Sequence, residues 1–167
     1  MLGYSNLPAS RSLAVAAVAL VIALAGCDSG DSSDEDNGNT RVVFGVALEP
    51  QVLSVGSRID GTLSPSDSRV SDFDESVTGP VDPDDDTFLD AYELNVGAGR
   101  RTMSMTSSEV DAFLTIADFD GTVLAEDDDG GSGLNARMTI QLEAGSYIVV
   151  ASSFEAGEVG AYTLSVE

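Results

Sequence analysis

The sequence predicts an all-β fold, an antiparallel sandwich of about eight short strands. Three observations lead there. Apolar and polar residues alternate with period two in segment after segment from Thr40 onward, glycine and aspartate punctuate those segments, and no window beyond residue 26 sustains a helical period.

Residues 1–26 read as a leader. Arg11 is the only charge before Cys27, and Leu13 to Ala25 is unbroken apolar sequence. A membrane-spanning helix needs about 20 such residues and the core of a signal peptide about 7 to 15, so the run fits export better than spanning. It ends in Leu24-Ala25-Gly26-Cys27, where small residues let a peptidase approach the backbone and the thiol offers an acceptor for lipid. This tetrapeptide resembles the lipobox of bacterial lipoproteins. The competing readings are an ordinary secretory peptide with a chance cysteine, or a short anchor helix. The resemblance implies cleavage before Cys27, lipid attachment at Cys27 and an anchor of two or more acyl chains, which holds stably where one chain holds only marginally. It places the protein in the cell envelope, on the periplasmic face of the inner membrane, in the outer membrane or at the cell surface. Asp28, next to the lipidated residue, is the type that tends to retain enterobacterial lipoproteins in the inner membrane.

Residues 27–39 follow as an acidic tether. From Asp28 to Asn39 there is no apolar residue and several like charges, so the segment has nothing to bury and should be extended.

Residues 40–167 form the domain. Tyr92, Leu94 and Val96 alternate with Glu93 and Asn95; Met103 and Met105 with Thr102, Ser104 and Thr106; Met138, Ile140 and Leu142 with Arg137, Thr139 and Gln141; and Tyr162, Leu164 and Val166 with Thr163 and Ser165. Each pattern puts one face of a strand on a core and the other in water. Tyr147 to Ala151 is apolar throughout, as expected of a central strand covered on both faces. Gly97 to Gly99, Asp120-Gly121, Gly130-Gly131 and Ala144-Gly145 mark the turns, and Asp120-Gly121 has the composition of a type I′ hairpin.

Composition excludes several functions. The single cysteine rules out an intrachain disulfide, and the absence of histidine rules out Ser-His-Asp chemistry and the usual zinc sites. A domain of this size buries roughly two thirds of its unfolded surface and needs neither. There is no lysine, and 29 acidic residues face 7 arginines, for a formal charge of −22. That excess repels nucleic acid and anionic head groups while favouring solubility and cations.

The order of segments resembles the bacterial pre-peptidase C-terminal (PPC) domain. The resemblance runs from near Val55 to the end: Gly61-Thr62-Leu63 with Ser66-Asp67-Ser68-Arg69, then Asp90-Ala91-Tyr92-Glu93-Leu94, Asp111-Ala112-Phe113-Leu114 and Asp120-Gly121-Thr122-Val123-Leu124. Asp127-Asp128-Asp129-Gly130-Gly131 then leads into Leu134-Asn135-Ala136-Arg137, followed by Ala144 to Val150 and Gly160 to Val166. The resemblance implies a jelly-roll sandwich without catalysis. It also implies roles in secretion, in attachment to insoluble polymers such as collagen or chitin, or in calcium-dependent stabilisation. Two departures stand out: no peptidase precedes the domain, and an acidic insertion, Asp72 to Asp86, replaces what is commonly a shorter loop.

Acidic residues supply the candidate site. Glu126 to Asp129 are four consecutive acids beside a hairpin that also holds Asp118 and Asp120. Calcium takes six to eight oxygens, which makes Asp118, Asp120, Asp127, Asp128 and Asp129 candidate calcium ligands. The spacing is not that of an EF-hand, and the sequence favours a second role in which Asp127 and Asp128 cap loop amides. Asp82, Asp84, Asp85 and Asp86 read first as a solvated charge run. For Arg100-Arg101 an ion pair with a neighbouring strand is the simpler reading than ligand contact. Tyr92, Tyr147 and Tyr162 read as core rather than as a sugar platform. The sequence therefore predicts a non-enzymatic envelope lipoprotein. It anchors to the membrane through lipid and presents a module for a polysaccharide, a matrix protein or an envelope protein. The alternatives are a calcium-responsive surface or assembly protein and, remotely, a glycoside hydrolase using paired carboxylates.

Overall fold

The structure is a computed structural model and describes residues 41–73, 77–78 and 85–167. The leader, Cys27, the tether, and Asp82 and Asp84 of the insertion lie outside the described residues. A short hairpin, β1 (Val42–Val43) and β2 (Val46–Ala47), comes first. Nine further strands follow: β3 (Arg58–Leu63), β4 (Ser68–Arg69), β5 (Phe88–Val96), β6 (Gly99–Ser107), β7 (Ala112–Asp118), β8 (Val123–Asp127), β9 (Ala136–Leu142), β10 (Gly145–Ser153) and β11 (Gly160–Val166). They form two sheets, one of five strands in the order β4-β5-β10-β7-β8 and one of four in the order β3-β11-β6-β9. Every pairing within them is antiparallel. The expected all-β antiparallel sandwich is the observed fold.

Period-two alternation sets the main core. Phe88, Tyr92, Leu94 and Val96 of β5 point between the sheets with Leu114 and Ile116 of β7 and Val149 and Ala151 of β10. Met103, Met105, Met138, Leu142, Leu164 and Val166 meet them from the other sheet. A shift of one residue in any of these strands would turn its apolar set into water, so the register is strongly specified.

The all-apolar strand has a structural reason. β10 lies between β5 and β7, and its alternate residues Ile148 and Val150 point away from the sandwich into a second cluster with Val46, Leu48, Leu89 and Ala91. The β1–β2 hairpin and Val70 and Phe73 pack over that outer face. This third layer has no alternation for the sequence to announce. Its hairpin turns on Phe44-Gly45, with Phe44 at φ 55° and Gly45 at φ 90°. Phenylalanine is costly in the left-handed region, where asparagine, aspartate or glycine is usual.

The Asp120-Gly121 turn differs from the type I′ expectation. Gly121 has φ 85°, whereas Asp120 does not take positive φ. Gly121 N–H donates to Asp118 O at 3.2 Å, and the Asp118 carboxylate accepts from the amides of Asp120 at 3.0 Å and Thr122 at 2.8 Å. The side chain of Asp118 holds a three-residue loop with its glycine last, which fits a type I turn with a bulge. Arg101 likewise donates to the carbonyls of Gly97 and Arg100, both at 2.9 Å, and among the described residues neither Arg100 nor Arg101 forms the expected ion pair.

A polar network built on a carboxylate is buried between the sheets. Asp90 is 7% exposed and accepts a 2.5 Å bond from the Tyr162 hydroxyl, which is 2.6 Å from that of Tyr92. With its own proton committed to Asp90, Tyr162 accepts from Tyr92. The Tyr162 ring crosses Gly61, where an added Cβ would fall 2.3 Å from it, so β3 must be bare at that point. Burial pushes the Asp90 carboxyl up from 3.8 to about 6; the Tyr162 bond opposes the rise, and the charges of Asp67 and Glu49 add to it. Burial also raises both tyrosines.

The folded state therefore binds the Asp90 proton more tightly than the unfolded state, and stability falls as pH rises from about 4 to about 6, then levels off. Asp90→Asn keeps a carbonyl acceptor for Tyr162 and removes the buried charge. Urea unfolding should find D90N more stable than wild type by about 1–2 kcal/mol at pH 7.5, with the gap closing near pH 4.

Candidate binding groove

The acidic residues singled out from sequence are largely occupied by the backbone. Asp127 Oδ2 accepts from the amides of Gly130 at 3.0 Å and Arg137 at 2.6 Å, and Asp128 Oδ1 from that of Asp129 at 2.8 Å. The loop is tight enough that a Cβ on Gly130 would fall 2.4 Å from Asp127 Oδ1 and from the Arg137 carbonyl. Asp118 and Asp120 belong to the β7–β8 turn, with Asp118 serving amides as described. Among the described residues no group of three or more Asp, Glu, Cys or His is placed to hold a metal ion. A different acidic corner forms around Asp111. Its Oδ1 is buried without a hydrogen-bond partner, and desolvation, then the charges of Asp129, Glu158, Asp128 and Glu155, raise its pKa.

The concave site lies elsewhere, on the outer face of the five-stranded sheet. Its floor is the outward row of three adjacent strands: Ile148, Val150 and Ser152 of β10, Phe113, Thr115 and Ala117 of β7, and Val123 and Glu126 of β8. Phe44 from the hairpin turn walls one side, and Val70, Phe73, Val77 and Asp85 from in and around the acidic insertion add to the wall. Phe154, just after β10, completes the lining. The cavity measures about 280 Å³. It is lined mostly by apolar and aromatic side chains with a few polar groups, as small-molecule sites usually are.

Local chemistry explains how the wall is held. Asp72 accepts from the Arg69 amide at 2.7 Å, which turns the chain into the insertion. Asp85 Oδ1 accepts from the Thr87 amide at 2.9 Å and hydroxyl at 2.7 Å, which turns it back into β5. Between them Thr78 lies parallel to Thr122, donating its amide to Gly121 O at 2.7 Å and accepting from Val123 N–H at 3.2 Å. The insertion thus reaches across the edge beside β8.

Among the described residues Glu126 and Asp85 are the ionisable side chains in the lining. Glu126 stands opposite Thr115 in the β7–β8 register. Desolvation raises its carboxyl above the ordinary value, and a bond from Thr115 opposes that rise. Sequence reasoning grouped Glu126 with the three aspartates that follow it. In the strand it points to the face opposite its neighbour Ala125, which packs on the main core. Phe44, Phe73, Phe113 and Phe154 were not singled out as a site, because they are far apart in the chain, and Phe113 was read only as part of the Asp111 to Leu114 segment. Tyr92 and Tyr162 are buried, as read from sequence, and Tyr147 is half-buried with its hydroxyl donating to Glu143 O at 3.1 Å.

Two facing antiparallel sheets with a partly covered outer face define an antiparallel β-sandwich. Among solved structures the chain is similar to the pre-peptidase C-terminal domain of a collagenase from Bacillus anthracis, at 18% identity and a TM-score of 0.50 over 72% of this chain and 96% of that one. A structure of PliG from Aeromonas hydrophila, a periplasmic inhibitor of g-type lysozyme, aligns at 11% identity and a TM-score of 0.39, over 70% of this chain and 98% of that one. No protein-family model and no curated protein matches the chain. At these identities the likeness is one of fold.

The capping geometry sets an expectation for the acidic loop. Asp127→Ala leaves two amides without their acceptor and should cost about 1–2 kcal/mol in urea unfolding. If capping is the whole role of these aspartates, calcium raises the melting temperature no more than magnesium at matched ionic strength. Both should act by screening the acidic surface.

Proposed function

We propose that this chain is a non-enzymatic envelope lipoprotein, anchored to a membrane through acylated Cys27 and presenting its sandwich as a binding module. The observation that carries the binding part is the apolar groove on the outer face of the five-stranded sheet, walled by a hairpin turn and an acidic insertion. A packing role alone does not call for an open cavity there. The lipid-anchored part rests on the leader and on Leu24-Ala25-Gly26-Cys27. Attachment by lipid is the route that sequence supports. The acyl chains hold the protein at the bilayer, the acidic tether spaces the domain from it, and the groove engages an extracellular polymer or an envelope protein.

Two measurements test this. Mass spectrometry of the polypeptide from membrane fractions should find Cys27 as an acylated N-terminus, and Cys27→Ser should shift the protein to the soluble fraction. An intact initiator end with an unmodified thiol overturns the anchor. Pull-down on chitin, collagen and peptidoglycan should retain the wild type on at least one polymer, with retention reduced severalfold in Phe154→Ala. No retention on any of them overturns the polymer-binding reading, and turnover in a glycoside-hydrolysis screen overturns the non-enzymatic one.

A further inference from the structure

We propose that the groove is a site for a small organic cation of the quaternary ammonium class, held by phenylalanine faces and by Glu126. The inference rests on the reading of the sandwich as a binding module and names the ligand chemistry of that same site.

The first argument is the disposition of phenylalanine. The chain has six, and four of them, Phe44, Phe73, Phe113 and Phe154, line this one groove. The other two each already have an arginine of the chain over the ring: Arg69 lies 4.5 Å from the centroid of Phe88, and Arg41 lies 5.7 Å from that of Phe119. Among the described residues no such cation lies over the four groove rings. Phe113 and Phe154 are splayed, with centroids 6.4 Å apart and planes tilted by 45°, and Phe154 is 55% exposed. Phe44 reaches its place from a left-handed backbone that phenylalanine seldom adopts. Strain of that kind persists where the surroundings impose it, and here it sets an aromatic ring at the groove wall.

The second argument is charge. Among the described residues the lining holds two carboxylates and no arginine. Asp85 is committed to Thr87, which leaves Glu126, exposed at the edge of the apolar floor, without a cationic partner among the described residues. An anion is repelled here. A neutral apolar ligand fills the groove but leaves Glu126 uncompensated. A primary ammonium must give up strong hydration and find acceptors for three N–H groups in an apolar slot. A quaternary ammonium has no N–H to satisfy, presents methyl groups to the apolar walls, and is attracted by aromatic faces and by a nearby carboxylate alike. The cavity of about 280 Å³ suits a ligand of that size.

The test is a titration of the domain with benzyltrimethylammonium and with choline, followed by amide NMR in 150 mM sodium chloride. The neutral carbon isostere of choline, 3,3-dimethylbutan-1-ol, serves as comparison. Saturable shifts centred on residues 44, 113, 126 and 154 are expected, with the isostere at least fivefold weaker than choline. Phe154→Ala, at an exposed ring, and Glu126→Gln should each weaken binding severalfold. Glu143→Gln, an exposed acid outside the groove, should leave it unchanged. Equal affinity for the isostere overturns the cation while leaving an apolar binding module intact. Shifts spread over the whole acidic surface, or an equal loss in E143Q, reduce the effect to non-specific ion attraction and overturn the site. No saturable binding to the groove by any probe, alongside retention of the wild type on a polymer, overturns this inference and leaves the binding module standing.

Discussion

A sheet with apolar residues on both faces is the constraint from which the rest of this structure follows. Tyr147, Val149 and Ala151 of the central strand β10 point into the sandwich, and Ile148 and Val150 point out of it. Burying one face by pairing with the four-stranded sheet leaves the other face exposed to water, at a cost of about 25 cal/mol for each Å² of apolar surface left uncovered. A two-layer sandwich does not resolve that. The chain resolves it with a third, partial layer made from the segment before the first long strand and from the loop before β5. Those two pieces cover Leu89, Ala91, Ile148 and Val150 and stop there. Where that cover ends, from Ile148, Val150 and Ser152 of β10 across β7 to β8, lies the groove.

The same constraint explains features that look unrelated along the chain. The hairpin must be short to lie flat on the sheet, so its turn has two central residues, and the first of them carries the side chain that reaches over the sheet. That residue is Phe44, in a conformation asparagine or glycine would tolerate better. After the hairpin, Leu48 and Leu53 bridge in parallel to Ala91 and Leu94, covering a stretch of the β5 edge that the two-residue strand β4 leaves open. The acidic insertion is put to similar use. Its ends are tied by Asp72 and Asp85 through their own carboxylates, and Thr78 lies against the β7–β8 turn. Acidic residues that read as a solvated run thus include one that fixes a wall.

Legibility in the sequence followed periodicity. Strands with one wet face announce themselves, and β5, β6, β9 and β11 were all legible from alternation, while the unbroken apolar run at Tyr147 to Ala151 identified the doubly covered strand. The third layer was not legible. Val42 to Ala47 is too short for a period, and its turn lacks the Asn-Gly or Asp-Gly signature because Phe44 occupies the position. Asp120-Gly121 showed the limit of a dipeptide rule. A preceding aspartate, Asp118, captures the Asp120 and Thr122 amides and selects a different loop. The groove was illegible for a topological reason. Its phenylalanines come from the hairpin turn, the insertion, β7 and the segment after β10, and only the strand order β5-β10-β7-β8 brings them together. Glu126 was visible as an acid, but its separation from Asp127 depends on the two-residue period of β8.

The polar content of the groove argues that it is more than an unfinished cover. A patch left bare only because the third layer runs out would be lined by the same aliphatic residues that the layer covers next to it. Instead the floor changes character where the cover stops: Thr115, Glu126 and Ser152 alternate with the apolar rows, and the aromatic side chains gather around them. An exposed carboxylate set on an apolar floor is partly desolvated and, among the described residues, has the Thr115 hydroxyl but no cation to offset that, which is an unfavourable arrangement for folding alone. Mutation readily replaces such a group by an aliphatic or an amide when stability is its only role. A protein of charge −22 has no shortage of carboxylates for solubility, so solubility does not account for placing one inside an aromatic cleft. The arrangement becomes favourable when a cation with an apolar surface fills the space. In that state the carboxylate gains a partner, the rings gain contacts, and the outer face of the sheet is closed by the ligand where the chain itself leaves it open.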